Sequence, residues 1–462
     1  MMREPAFSLL SPPKAFPLKG KRVLVLGLGD TGLSVAQWVQ RHGGIVRAAD
    51  TRKDPPRKND YAGELVTGGF KASLLKGIDL VCISPGLSLA EEVIQSAIAK
   101  SIPVAGDIEL FAWDVGKTKA KVLAVTGTNG KSTVTALTGH LLRSARVDAE
   151  VAGNISPPAL DALARRKKAP AAWVLELSSY QLETTWSLAP RAAAMLNLSE
   201  DHLDRYAGLP EYAAAKARVF RGAGVQVLNR CDAGSMAMAL AGRAQVTFGL
   251  DSPALTEDFG IAQGWLCRGE DRIVLESELP LRGAHNVSNA LAACALATLA
   301  GAPLASLAAG LRSFRGLAHR MELVAERGGV AWLDDSKGTN VGATVAALNG
   351  LGRPAILILG GEGKGQDFSP LAPAVTLHAK QVLLIGRDAS LIQRALRETK
   401  IPVEKAKTIQ QAVKRAAEVA RAGDAVLLSP ACASFDMFRD YKHRGEVFAA
   451  AVKELAEEKR HG

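Results

Sequence analysis

The sequence predicts an α/β protein of three domains, in which two doubly wound parallel sheets flank a central mixed one. Three observations carry this. Short continuous apolar runs recur along the chain, each ending in Gly, Ser or acidic residues and followed by helical spacing, the pattern of buried parallel strands with crossover helices. At 462 residues the chain is longer than one hydrophobic core usually serves. The apolar pattern breaks near 115–121 and again near Leu317, which divides the chain into 1–115, 116–316 and 317–462.

In the first segment, Arg22 to Leu26 is an apolar strand that runs into Gly27-Leu28-Gly29-Asp30-Thr31-Gly32 and a helix from Leu33 to Arg41. A second strand, Ile45 to Ala49, ends in Asp50. This is G-x-G-x-x-G with an acid about 20 residues on, the fingerprint of a Rossmann-like pyrophosphate turn. It does not single out NAD, because the same geometry accepts any pyrophosphate and the acid can hold any ribose or base. A third strand, Leu80 to Ile83, ends in Ser84-Pro85-Gly86 at the same carboxyl edge, so a nucleoside-diphosphate pocket is expected there.

The central segment opens with Val122 to Thr126, followed by Gly127-Thr128-Asn129-Gly130-Lys131-Ser132-Thr133 and a helix to Arg143. The glycines let main-chain N–H groups turn toward an anion, Lys131 adds a cation, and the Ser132 hydroxyl suits Mg²⁺, as in a P-loop ATPase-like site. The strict motif requires glycine where Val125 stands. Ala171 to Leu175 is a second strand ending in Glu176, a carboxylate within reach of a metal beside Ser132. Ala192 to Leu196 opens into Asn197 to Tyr206, whose Glu200, Asp201, His202 and Asp204 fit either metal and phosphate work or a solvated helix start capped by Ser199.

Lys216 lies on an apolar helix face with Tyr212, Val219 and Phe220 at i, i+4, i+7 and i+8 spacing. It either snorkels to water or is a buried, reactive amine. Further strands are expected at Val225 to Leu228 and Ala244 to Phe248, with antiparallel hairpins between Ile261 and Leu281 that turn at Gly264 and Gly269-Glu270-Asp271. Gly283 to Asn289 then opens an Ala-rich stretch with amides placed to meet an adenine or ribose.

The third segment repeats the strand–loop pattern. Val330 to Leu333 ends in Asp334 to Asn340, Ala355 to Leu359 in Gly360 to Gly365, Val382 to Ile385 in Gly386-Arg387, and Ala425 to Leu428 in Ser429 to Ser434. A second Rossmann-like parallel sheet gathers these loops at one edge, with Lys337, Thr339, Lys364 and Ser434 along it.

Composition narrows the function classes. A hydrophobic fraction of 48% with 22% charged residues is ordinary for a globular protein. The net charge of +11 is spread along the chain without a nucleic-acid motif or an aromatic-interleaved basic patch, so phosphorylated small substrates, not nucleic acid, are the expected partners. Cys82, Cys231, Cys267, Cys294 and Cys432 are odd in number and lack C-x-x-C spacing, which argues against a disulfide framework or zinc site and for a reducing cytoplasm. The stretch from Met1 to Lys21 has prolines and no sustained apolar run, unlike a signal peptide. Residues 289–311 carry no charge, but they are Ala-rich and divided by Gly301-Ala302-Pro303, so two buried helices are expected and no stable membrane insertion.

Taken together, Gly127 to Thr133, Glu176-Leu177-Ser178-Ser179, Glu200-Asp201-His202, His285-Asn286 through Asn289, His319-Arg320 and Asp335-Ser336-Lys337 resemble the Mur ligase family, in that order and over nearly the whole chain. The family's phosphate loop also lacks the glycine at Val125. Within the family, Asp50-Thr51, Gly363 to Phe368 and Ser429 to Phe438 are similar to the branch that adds D-glutamate. The resemblance implies ATP-dependent amide synthesis on UDP-N-acetylmuramoyl-L-alanine through an acyl phosphate, in cytoplasmic peptidoglycan-precursor synthesis, by a monomer. It implies ATP on Gly127, Thr128, Asn129, Gly130, Lys131, Ser132, Thr133, Asn286, Asn289, Arg320 and Asp335, and the UDP substrate on Asp30, Thr31, Asp50, Thr51, Ser84, Gly86 and Asn154. D-Glutamate would meet Thr339, Lys364, Ser434, Phe435 and Tyr441. Catalytic roles fall to Lys131, His202, Lys216 and Lys337. One Mg²⁺ would sit on Ser132, Glu176 and His202, and a second on Lys216 carbamylated by CO₂. A sister ligase or a folylpolyglutamate synthase would keep the ATP centre, although the Asp-Asn-Pro-Arg motif of the diaminopimelate-adding sister is absent. An NAD oxidoreductase would leave Gly127 to Thr133 unexplained, and a non-enzymatic nucleotide-binding module would leave the third segment's lysines unexplained.

Overall fold

The computed structural model describes residue 15 and residues 17–202, 205–281 and 283–461. Most of the proline-containing start of the chain, together with Leu203 and Asp204 of the acidic segment, lies outside these. The chain folds into two compact units, one made of 1–198, 210–275 and 290–311, the other of 199–209, 276–289 and 312–462.

The first unit carries two sheets. The N-terminal part runs β1 (Arg22–Leu26), α1 (Asp30–Arg41), β2 (Ile45–Asp50), β3 (Glu64–Thr67), β4 (Leu80–Ile83), α2 (Glu92–Ala99), β5 (Val104–Ala105) and α3 (Asp107–Val115). Its five strands are parallel in the order β3-β2-β1-β4-β5, so the direction of strand order reverses between β1 and β4. The loops after β1, β2 and β4 therefore share an edge at the switch point, where such sheets bind ligands. Gly32 shows why the turn needs its last glycine: a Cβ there would stand 1.8 Å from the Gly27 carbonyl oxygen. Helix α1 starts at Asp30, three residues before the expected Leu33.

The central part runs β6 (Lys121–Thr126), α4 (Lys131–Ser144), β7 (Ala149–Gly153), α5 (Ala159–Arg165), β8 (Ala172–Glu176), α6 (Ser179–Glu183), β9 (Ala192–Met195), α7 (Leu209–Ala217), β10 (Val225–Asn229), α8 (Ala233–Met236), β11 (Gln245–Phe248), β12 (Phe259–Ala262), β13 (Trp265–Arg268) and β14 (Asp271–Leu275). Its sheet is mixed, with the order β14-β13-β12-β11-β10-β9-β6-β8-β7 and antiparallel pairing only in the β12–β13–β14 meander. Helices α9 (Ala284–Ala300) and α10 (Leu304–Ser313) flank Gly301-Ala302-Pro303, as the sequence predicts, and no helix of the described residues is long and apolar enough to cross a membrane. The two sheets of this unit share one core, and buried carboxylates on α3 stitch them together. Asp107 accepts from Gln181 Nε2 at 2.9 Å, and Glu109 accepts from the N–H groups of Trp186 and Ser187 at 2.7 and 2.8 Å.

In the second unit the chain continues as β15 (Glu322–Arg327), β16 (Val330–Asp334), α11 (Val341–Gly350), β17 (Ala355–Gly360), α12 (Leu371–His378), β18 (Ala379–Ile385), α13 (Ala389–Ala395), β19 (Val403–Lys405), α14 (Ile409–Val419), β20 (Ala425–Leu428) and α15 (Tyr441–His461). The strand order is β15-β16-β20-β17-β18-β19, parallel except for β15, an antiparallel edge strand added to the expected parallel sheet. Alternation along the strands explains the double winding. Leu357, Leu359, Val382, Leu384 and Leu427 bury against α11, α12 and α13, whereas Ile356, Ile358, Leu383, Val426 and Leu428 bury against α14 and α15. The unit also closes on its own distant stretch, since Gly283 and Gly350 approach so closely that a Cβ on Gly283 would lie 3.1 Å from the Gly350 Cα.

Candidate active site

The loop after β6 is built as an anion cradle. Gly127 (φ 151°) and Gly130 (φ 83°) take backbone conformations that favour glycine, and Gly130 caps α4 so that the helix N-terminus faces the loop. Asn197, after β9, holds the loop by accepting the Asn129 N–H on Oδ1 at 2.8 Å and donating to the Asn129 carbonyl at 3.1 Å; its carbonyl accepts the Thr128 N–H. Lys131 Nζ folds back to donate to the carbonyls of Gly127 and Thr128 at 2.8 and 2.7 Å. Ser132 and Thr133 are buried at the first turn of α4.

Lys216 joins this loop. It is 1% exposed, its Nζ donates to the same Gly127 carbonyl at 2.8 Å, and it lies 4.5 Å from the Tyr212 ring centroid. Snorkelling is therefore excluded, because the amine points into the protein. Two cationic side chains thus converge on one carbonyl oxygen. Glu176 ends β8, in register with Val125 of the neighbouring strand. Its Oε1 accepts from Asn154 Nδ2 at 2.7 Å, while Oε2 is buried without a hydrogen-bond partner among the described residues. A buried anionic oxygen in that state is costly unless a cation meets it, so the donor set fits a divalent metal. Asn154, expected on the substrate, orients this carboxylate in the structure.

At the N-terminal edge, Asp50 is 2% exposed and its oxygens are taken by Leu28 N–H, Arg52 N–H and the Arg52 guanidinium, at 2.7 to 2.9 Å. Burial alone would raise its carboxyl, but these donors hold it at about 2. Asp50 is thus paired with Arg52, a residue sequence reasoning missed. Asp30, at the start of α1, pairs with Arg57 at 2.6 Å, and Thr31 follows it. Ser84 Oγ donates to the Gly27 carbonyl at 3.0 Å, whereas Gly29 is open, with nothing within 4 Å of where a Cβ would stand. Thr51 and Gly86 are exposed at the same edge.

The second unit holds the remaining residues. His202 has φ 57°, and its N–H donates to Asp201 Oδ1 at 2.9 Å; Asp201 Oδ2 accepts from Asn340 at 3.0 Å. Asn286 and Asn289 sit one turn apart on α9, with Asn289 Nδ2 3.4 Å from Asn286 Oδ1. Asp335 is buried and accepts from Ser429 Oγ at 2.7 Å; burial pushes its carboxyl up to about 7 despite that bond and the nearby Arg320 charge.

Lys337 Nζ lies 4.0 Å from the centroid of the Tyr441 ring, and the Thr339 N–H donates to the Lys337 carbonyl at 2.9 Å. Lys364 takes φ 52° in an exposed loop whose Gly363 N–H donates to Asp388 Oδ2 at 2.7 Å. Ser434 is buried and Phe435 is 65% exposed, next to Ala433, which pairs with Glu362 of the Lys364 loop. Arg444, also missed from sequence, is fully buried on α15. It donates to Ser336 Oγ, the Ser336 carbonyl and the Cys432 carbonyl at 2.8 to 3.1 Å, clamping the loops before Lys337 and Ser434. The signal for it lay only in a charged residue within an amphipathic helix.

These parts suit an α/β ligase-type enzyme, with a glycine-rich loop opening a helix and a buried carboxylate on one unit and a cationic loop edge on the other. Residues 21–106 match the Mur ligase MurD-like N-terminal domain, 125–297 the Mur ligase middle domain and 319–432 the Mur ligase glutamate ligase domain. The UDP-N-acetylmuramoylalanine–D-glutamate ligase of Nitrosospira multiformis is 54% identical over 95% of this chain and 96% of its own, and that of Thiobacillus denitrificans is 51% identical over 96% and 98%. Among solved structures, UDP-N-acetylmuramate-alanine ligase MurC from Thermotoga maritima aligns with a TM-score of 0.62 at 19% identity over 94% of this chain and 99% of its own. MurF from Acinetobacter baumannii aligns at 0.62 and 18% over 96% and 93%, so both share the fold. The chain belongs to the Mur ligase family and is an ATP-dependent, amide-bond-forming ligase.

Proposed function

We propose that this ligase joins D-glutamate to the alanine carboxylate of UDP-N-acetylmuramoyl-L-alanine, in the cytoplasm and as a monomer. The observation that carries the reading is the near-full-length match, at half of all positions, to relatives bearing that activity in their name. Residues 1–115 take the UDP substrate, 116–316 ATP, and 317–462 the amino acid.

A carboxylate is a poor electrophile, so the γ-phosphoryl group of ATP first moves to the alanine carboxylate oxygen and ADP leaves. The loop from Gly127 to Thr133 holds the phosphates through the main-chain N–H groups that Asn197 does not take, and Lys131 offsets charge on the transferring group. Asn286, Asn289, Arg320 and Asp335 hold the rest of the nucleotide. The amine of D-glutamate then attacks the acyl carbon, loses a proton, and inorganic phosphate departs with the formation of the amide. Thr339, Lys364, Ser434, Phe435 and Tyr441 orient the amino acid's two carboxylates, with Lys337 beside them. Asp30, Thr31, Asp50, Thr51, Ser84 and Gly86 hold the UDP moiety, and Asn154, which donates to Glu176, contacts the sugar-peptide part of the substrate.

Mg²⁺ bound by Ser132, Glu176 and His202, and a second ion bound by Lys216 after carbamylation, would neutralise phosphate charge. The burial of Lys216 beside the phosphate loop supports that chemistry, since conversion to a carbamate replaces a cation with an anion where a metal is needed. Phosphate release from ATP with purified UDP-N-acetylmuramoyl-L-alanine and a panel of amino acids tests the assignment. Turnover should depend on D-glutamate, and turnover with another amino acid instead would reject it.

A further inference from the structure

Strand β16 ends in two neighbouring carboxylates with separate duties. Asp335 turns to Ser429, whereas Asp334, 1% exposed, divides its oxygens between two loops. Its Oδ1 accepts the Ser336 N–H at 2.8 Å, and its Oδ2 meets His319 Nδ1 at 2.7 Å. His319 carries the contact onward. Its carbonyl accepts the Lys337 N–H at 3.1 Å, and its ring stands edge-on to Tyr441 with centroids 6.1 Å apart, while Lys337 Nζ covers the Tyr441 ring.

The surroundings are cut to this pair. A Cβ on Gly445 would stand 2.3 Å from His319 Nδ1 and 2.4 Å from Asp334 Oδ2, so only glycine lets α15 pass. His319 itself is held at φ 62°, a strained conformation for a non-glycine residue, with its N–H on Glu322 Oε2 at 2.8 Å. Burial pushes the Asp334 carboxyl up and the His319 hydrogen bond opposes it. A carboxylate–imidazole bond of this length in a buried site fixes the ring's orientation and tautomer.

We propose that Asp334 and His319 are a positioning dyad that sets Lys337 and Tyr441 for the amino-acid substrate. This rests on the D-glutamate reading above. The dyad acts through the His319 carbonyl and ring. His319, Glu322 and Asp334 also have potential ligand atoms within 4.8 Å of one another, but the His319–Asp334 hydrogen bond places a proton where a cation would have to sit, which favours the dyad over a metal site.

The test compares wild type with Asp334→Asn, His319→Ala and His319→Asn, titrating ATP, the UDP substrate and D-glutamate separately. Asparagine at 319 tolerates the left-handed backbone and offers an N–H near the Nδ1 position. Asp334→Asn and His319→Ala should raise KM for D-glutamate at least tenfold and lower kcat, with KM for the UDP substrate within twofold. His319→Asn should recover most of the loss.

Amide hydrogen exchange of the same proteins without substrates should quicken in 335–341 and 438–443 but not in the sheet. If wild type ignores D-glutamate, the functional reading falls, and the exchange pattern still decides the dyad: localised quickening upholds it and unchanged exchange overturns it. A uniform rise in all three KM values with a lower melting temperature would reduce the pair to a structural contact. Altered exchange in this region of the wild type on EDTA treatment would make it a metal site.

Discussion

Glu176 and Lys216 meet opposite versions of one problem, a charged group taken out of water. The buried Glu176 Oε2 lacks a hydrogen-bond partner among the described residues, so removing its charge costs the resting fold little and the metal-loaded state much. Glu176→Gln should therefore leave the melting temperature unchanged or raised, while the Mg²⁺ concentration for half-maximal activity rises at least tenfold. Lys216→Ala should abolish turnover, and a small carboxylate such as acetate should restore part of it by standing in for the carbamate; wild-type activity in the variant would refute that role. Arg444 is different again. Burial pushes its guanidinium down to about 10, and it donates to three acceptors in two loops, a fork that lysine cannot reproduce. Arg444→Lys should cost about 3 kcal/mol by leaving buried acceptors unmet, read as a lower denaturation midpoint.

Elements were legible where burial made them so. β1, β4 and β20 are continuous apolar runs, and the sequence predicts them residue for residue. β3, β15 and β19 escape because they lie at sheet edges, half exposed, with charged residues in them; β7 escapes because Ala-Glu-Val-Ala-Gly has too little apolar bulk to read as a strand. The loops at strand ends carry the recognisable motifs, so the principal site residues could be named. Asp334 and Arg444 matter through contacts with residues 15 and 108 positions away, which no local pattern encodes, whereas Arg52 pairs with Asp50 only two residues back and is missed because a lone arginine after a strand carries no motif. Helix α3 makes a further expectation. Burial pushes Asp107 up to about 6, with the Gln181 hydrogen bond opposing. A carboxyl raised in the folded state binds its proton more tightly there, so the contribution of Asp107 to stability is greatest below pH about 4 and declines as pH rises through 6, by at most about 3 kcal/mol. Asp107→Asn should flatten that window in denaturant titrations at a series of pH values.

At the scale of the whole molecule, one unit holds the glycine-rich loop after β6 with the N-terminal and central sheets, and the other holds the third sheet and its loop edge with His202, Asn286 and Asn289. The second unit is assembled from three separate stretches, and its contacts depend on all of them: Gly283 lies against Gly350, and Leu281 packs within 3.0 Å of where a Cβ on Gly316 would stand. Its boundary in space is therefore not a boundary in the gene. A recombination event, or an expressed fragment, that carries 312–462 as one continuous piece leaves behind part of that unit's own packing. Such a fragment should unfold without the cooperative transition of the intact chain, and adding 276–289 back as a separate peptide should sharpen it. Exchange of amino-acid-binding modules between relatives would then have to transfer the short upstream stretches as well, or repair them afterwards by compensating substitutions.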